Sequence, residues 1–193
     1  ALVAAVLLLA VLYLIFAMMR NGHNRLLSQS GEALMKQLSE NEKAGAADMV
    51  WNQYPRPQMK RESFCSLNGI WELNGKEILV PFPPQALLSG FQGRVGNHLT
   101  YRRKFVLHKT DKNNRILLHF GAVDQVAEVF VNGRYLGKHE GGYLPFSFDI
   151  TECVARDDSK DSENLLEVKV KDTLSMDYPY GKQRKARGGM WYT

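Results

Sequence analysis

Ala1 to Met19 contains no charged residue. As an α-helix rising 1.5 Å per residue this run would be about 28 Å long, close to the hydrocarbon thickness of a bilayer. No other stretch restricts the chain as strongly, because nothing polar marks a second face and the run does not read as the amphipathic helix of a soluble domain. A cleaved signal peptide has an apolar region of about 7–15 residues followed directly by a small-residue site. Here Arg20, Asn21 and His23 follow instead, and Ala44-Gly45-Ala46 lies far downstream. The expectation is a transmembrane helix over residues 1–19. Arg20 and Arg25 alone would keep the downstream side in the cytoplasm. An enzyme tethered by one N-terminal helix generally has its bulk outside, however, where substrate that cannot enter the cell is met, so the expectation is a single-pass protein with an extracytoplasmic domain.

Residues 20–54 change character. Leu27, Leu34 and Leu38 recur at near-helical spacing among Glu and Lys, which fits a juxtamembrane helix or stalk. Gly45-Ala46-Ala47 loosens the pattern, Pro55 and Pro57 end any helix, and a single domain over residues 55–193 follows.

That domain reads as strands. Asn74-Gly75 and Asn132-Gly133 each sit between apolar runs, Ile70 to Leu73 with Glu77 to Val80, and Ala127 to Val131 with Arg134 to Gly137. Asn-Gly favours the type I′ turn, whose two positive φ angles match the twist of paired antiparallel strands. Further strands are expected at Tyr101 to Leu107, Arg115 to Phe120, Phe146 to Ile150 and Leu165 to Lys171. In the last of these Leu166, Val168 and Val170 alternate with Glu167, Lys169 and Lys171, the signature of a half-buried strand. Many short strands, with no helix-period segment after Pro57, predict an all-β jelly-roll sandwich.

Composition narrows the function classes. With 45% hydrophobic and 23% charged residues the chain is neither disordered nor a multi-span membrane protein. The net charge of +5 traces to Lys182, Arg184, Lys185 and Arg187, one short run and not a basic face, which argues against nucleic acid as a partner. Cys65 and Cys153 have no CxxC spacing and are expected as free thiols, although an extracellular setting would let them pair. His23, His98, His108, His119 and His139 follow no metal-ligand pattern, so neither metal nor cofactor is expected.

No catalytic set emerges. Asp124, Glu128, Glu140, Asp149, Asp172 and Asp177 offer carboxyl groups, but no spacing singles out the pair that glycoside hydrolysis requires. GxSxG, P-loop and GxGxxG motifs are absent. Tyr143, Phe146, Tyr178, Tyr180, Trp191 and Tyr192 lie in or beside expected loops, where a flat ring can stack on a sugar's C–H face; core or interdomain packing is the competing reading.

Several motifs now fall in order. Ser66-Leu67-Asn68-Gly69-Ile70-Trp71-Glu72, Ile78-Leu79-Val80-Pro81-Phe82 and Tyr101-Arg102-Arg103-Lys104-Phe105 are followed by Leu118-His119-Phe120-Gly121-Ala122-Val123-Asp124, Val129-Phe130-Val131-Asn132-Gly133 and His139-Glu140-Gly141-Gly142-Tyr143-Leu144-Pro145-Phe146. Together they resemble the N-terminal sugar-binding domain of family 2 glycoside hydrolases, the β-galactosidase and β-glucuronidase group. The resemblance implies a non-catalytic module of a β-glycosidase, with an immunoglobulin-like domain and a TIM barrel carrying the catalytic glutamates to follow. It implies an Asp before the closing Met190-Trp191-Tyr192 run that reaches into the barrel's site; Gly189 holds that place here. Residues expected to face carbohydrate are Asp124, His139, Glu140, Tyr143, Trp191 and, from the long loop after Asp177, Lys182 and Arg184. The alternative from another class is a stand-alone membrane-tethered carbohydrate-binding or interaction module.

Overall fold

The computed structural model describes residues 2–43, 63–108, 114–157, 159–173, 177 and 188–192. One helix, α1 (Leu2–Lys43), precedes ten strands: β1 (Gly69–Leu73), β2 (Lys76–Val80), β3 (His98–Leu107), β4 (Leu117–Phe120), β5 (Ala122–Asp124), β6 (Val126–Val131), β7 (Arg134–Glu140), β8 (Phe146–Asp149), β9 (Ser162–Lys171) and β10 (Gly189–Tyr192). A 3-10 turn, Leu87–Ser89, follows β2. The strands form a six-stranded antiparallel sheet in the order β2-β1-β3-β9-β6-β7, and two short antiparallel ladders, β10-β5 and β4-β8.

Both Asn-Gly turns form as expected. Asn74 and Asn132 adopt φ near 50°, with Gly75 and Gly133 at 82° and 79°. Each asparagine also ties its hairpin to the neighbouring strand. Asn74 Oδ1 accepts from Thr100 N on β3 at 2.8 Å, and Asn132 Oδ1 accepts from Leu165 N on β9 at 2.9 Å. Asn132 Nδ2 further donates to Asn164 Oδ1 at 2.7 Å and to the Cys153 carbonyl at 3.0 Å.

Alternation along the strands sorts side chains between two faces. Trp71, Leu73, Ile78, Leu99, Tyr101, Ala127, Val129, Val131, Leu166, Val168 and Val170 point inward and meet Leu118, Phe120, Val123 and Met190 from the short ladders, with Ile150 just after β8, in one continuous core. The result is a β-sandwich-like domain. On the outer face the central strands carry charge, with Arg102 bridging Glu72 and Glu167.

Helix α1 is unbroken across the expected limit at residue 19 and has two unlike halves. Val6 to Met19 is almost wholly exposed, and this helix is long and apolar enough to cross a membrane by length and composition. Its later turns pack on the domain. Met35 and Leu38 join Leu79 in a second, smaller apolar cluster with Leu34, Ile70 and Phe82 at its margin. Leu27, Leu34 and Leu38, picked out above by their spacing, all lie on the less exposed side of the helix. Cys65 is exposed and Cys153 half-buried, and neither is in a disulfide.

Candidate functional site

The closing ladder gathers three of the expected sugar-facing residues. β5 and β10 pair Asp124 with Gly189 and Val123 with Met190, after which the register slips before Tyr192 meets Ala122. A slip of this kind lets two consecutive residues face one partner. Met190 therefore enters the core while Trp191 and Tyr192 both stay exposed. Trp191 is anchored by its indole N–H, which donates to the Gly142 carbonyl at 2.9 Å, and its ring meets Tyr143 edge-on with centroids 6.1 Å apart. Tyr192 lies beside it at 6.0 Å. Tyr143, Leu144, Trp191 and Tyr192 are all exposed at this end of the domain.

Asp124 lies against the same backbone. Its carboxylate presses on Gly142, where any Cβ would collide with it. A Cβ on Gly188 would lie 2.5 Å from the Asp124 carbonyl oxygen and 2.7 Å from Asp172 Oδ2. Glycine at both positions is what lets the β10 segment and the Gly141-Gly142 turn close around the two acids. The Asp124 carboxyl is half-buried, and this desolvation raises its pKa. Asp172, 5% exposed, is pushed up to about 6, by burial first and then by the charge of Asp124. Among the described residues Asp172 Oδ2 has no hydrogen-bond partner. Burial keeps Asp172 from touching a surface ligand; its effect on one would pass through Asp124.

The other expected residues stand apart. His139, on the edge strand β7, stacks flat on Phe146 with centroids 4.1 Å apart and its Nε2 buried, so its ring is part of the packing. Glu140 reaches the same end of the sheet but is neutralised by Lys138 Nζ at 2.5 Å, which holds its carboxyl below the usual carboxylate range. The backbone links it to the site: Gly141 N donates to the Gln125 carbonyl at 2.9 Å. Lys182 and Arg184, like Tyr178 and Tyr180, lie outside the described residues.

Asp172 is the member that spacing alone did not pick out. The Gly141-Gly142 and Gly188-Gly189 pairs flanking the aromatic residues were its visible signal, since paired glycines mark close backbone approach. The assembled set offers flat apolar rings beside a carboxylate acceptor, the combination that suits a hydroxylated ring. Among the described residues no group of three or more metal-ligating side chains occurs.

Comparison with known proteins places these features. The family described as "Glycosyl hydrolase 2 galactose-binding domain-like" matches residues 91–190, just over half of the chain. A β-galactosidase from Thermoanaerobacter pseudethanolicus is 40% identical over 79 residues, 41% of this chain and 10% of that protein. A β-glucuronidase from Paenibacillus borealis is 31% identical over 143 residues, 63% of this chain and 23% of that protein. Among solved structures, the Lactobacillus rhamnosus β-glucuronidase superposes with a TM-score of 0.50 at 27% identity, covering 64% of this chain and 24% of that one. The chain thus spans a quarter or less of the relatives it matches.

Proposed function

The chain belongs to the glycosyl hydrolase 2 galactose-binding domain-like family, and from that membership we propose that it is the non-catalytic, sugar-binding N-terminal part of a β-glycosidase held at a membrane by α1. The observation that carries this reading is the Asp124–Trp191–Tyr143 cluster, which lies at an exposed end of a domain that in its relatives is a minor share of a glycosidase. Trp191 and Tyr143 offer stacking surface and Asp124 accepts from hydroxyls, while the bond-breaking carboxyl pair belongs to a later barrel. An open rim of this kind encloses only part of a ligand, so a sugar bound to this chain alone binds weakly.

Anchoring rests on the exposed apolar half of α1, since a row of large apolar side chains is stable in lipid and unfavourable in water. The sandwich lies on the extracytoplasmic side, where large glycosides are accessible. Exposed Cys65 tests this directly: a membrane-impermeant maleimide added to intact cells labels it if the domain is outside and leaves it unlabelled if inside.

The functional test uses residues 1–193 in detergent with galactose, glucuronate and their aryl β-glycosides, beside the longer product of the same gene. The shorter protein is expected to hydrolyse none of them, and Trp191→Ala is expected to weaken sugar binding by about five- to tenfold. Turnover by the short protein that disappears in Asp124→Asn would overturn the non-catalytic assignment. A longer product inactive on every glycoside would favour a stand-alone binding module.

A further inference from the structure

Strand alternation sends Ile70 and Leu79, a directly paired couple of β1 and β2, to the outer face of the sheet, opposite Trp71, Ile78 and Val80. An outer-face leucine on an edge hairpin is ordinarily wet. Leu79 is instead completely buried, and what covers it is α1. Gly31, Leu34, Met35 and Leu38 stand at positions i, i+3, i+4 and i+7 and so line one helix face. They meet Leu79, Ile70, Phe82 and the turn at Leu87–Gly90. The approach is close enough that a Cβ on Gly31 would lie 2.7 Å from the Leu87 carbonyl oxygen, and one on Gly90 would collide with the Met35 sulfur. Gln92 Nε2 donates to Glu32 Oε1 at 3.1 Å at the margin of this contact.

The same helix runs unbroken into the exposed apolar half. We infer that α1 is a rigid strut, not a swinging tether, and that it sets the height and orientation of the sandwich over the bilayer. This rests on the membrane reading given above. Gly31 and Leu38 stand twelve and nineteen residues past Met19, about 18 and about 28 Å along the axis from the lipid boundary, whereas a free stalk ending at Lys43 would raise the domain by about 36 Å. Headgroups occupy roughly 5–7 Å of that height. The docked domain therefore sits beside the helix with little clearance, and the glycosides it can meet are those presented at the membrane surface. The outer face of β1-β2 is the site, and the second half of α1 is its partner.

The experiment uses the full chain in vesicles, with Cys65→Ser and Cys153→Ser as background. Glu32→Cys with Gln92→Cys, both at exposed positions, is treated with a short bis-maleimide and is expected to cross-link within one molecule. Energy transfer from a dye at Val95→Cys to acceptors in the headgroup layer is expected to fall at least about twofold when Leu38→Asp releases the domain from 18–28 Å to the height of a free stalk. Absence of the cross-link while the chain survives a carbonate wash of the membranes overturns the strut and leaves the anchor standing. A cross-linked chain that carbonate releases overturns the anchor, and with it the fixed height, while the helix remains docked. Unchanged transfer in Leu38→Asp, with the cross-link likewise unchanged in that variant, shows that the apolar contact does not hold the helix and also overturns the strut.

Discussion

The two edges of the six-stranded sheet end in hairpins built on the same Asn-Gly turn, yet their outer faces are finished differently. At the β1-β2 edge, Ile70, Leu79 and Phe82 lie beneath α1, and Leu79 is shut off from solvent. At the β6-β7 edge no second layer covers the corresponding face among the described residues. Phe130 there lies under the Lys169 ammonium, 4.5 Å from its ring, and beside Tyr135, which is largely exposed. An apolar outer face needs either a second layer or a charged cap. The first edge has the layer, supplied by a helix whose other half is apolar and exposed, and the second makes do with a lysine.

Truncating an apolar side chain at each edge separates the two most strongly. Leu79→Ala removes side-chain atoms packed on all sides and is expected to cost about 2–4 kcal/mol in urea unfolding of the chain in detergent. Phe130→Ala, at a half-open position, is expected to cost about 1 kcal/mol. Equal losses would mean that the helix contributes nothing to the first edge.

A pH series separates both edges from the buried acid that follows β9. Asp172 is raised from 3.8 to about 6, so the folded chain holds its proton more tightly than the unfolded chain does. The stability this contributes is fully present below about pH 3.8 and is lost as pH rises through about 6. The stability difference between wild type and Asp172→Asn should therefore shift by about 1–3 kcal/mol between pH 4 and pH 7, in favour of the variant at the higher pH. A flat difference would show that Asp172 is ionised or protonated alike in both states.

The turns offer a smaller contrast. Asn132 makes three side-chain hydrogen bonds to β9 and the Cys153 loop, one of them to buried Asn164, while Asn74 makes two exposed ones to β3. Asn132→Ala is expected to lower stability by about 1–2 kcal/mol and Asn74→Ala by less than about 1 kcal/mol, read from the same urea curves. Smallest of all is the charged bridge between the edges. Arg102→Gln should leave the urea midpoint nearly unmoved, and added salt should change wild type just as little, because the guanidinium is in solvent and its ion pairs are screened.

Much of this molecule was legible in its residues. Asn74-Gly75 and Asn132-Gly133 located both hairpins because the required positive φ angles are a local property of those dipeptides. The alternation in β9 marked its buried face, and the motifs from Ser66 to Phe146 identified the family, since each strand carries its own pattern. Asp124, Tyr143 and Trp191 were recognisable as candidates one at a time. Their assembly was not, nor was the part of Asp172, because the β5-β10 ladder joins residues more than sixty positions apart and is too short to show a period of its own.

The period of each element, the turn at each hairpin and the apolar length of α1 are written in the residues themselves, because neighbours within a few positions set them. Where apolar surfaces would meet is a matter of tertiary contacts. Leu38 could equally have faced solvent on a stalk, and Leu79 could have been wet; each is buried because the other is there. His139 stacks on Phe146, a contact between strands β7 and β8 that neither strand's own pattern records. Pairings of this kind depend on contacts between distant segments, whose loop-closure cost and packing fit no local pattern records.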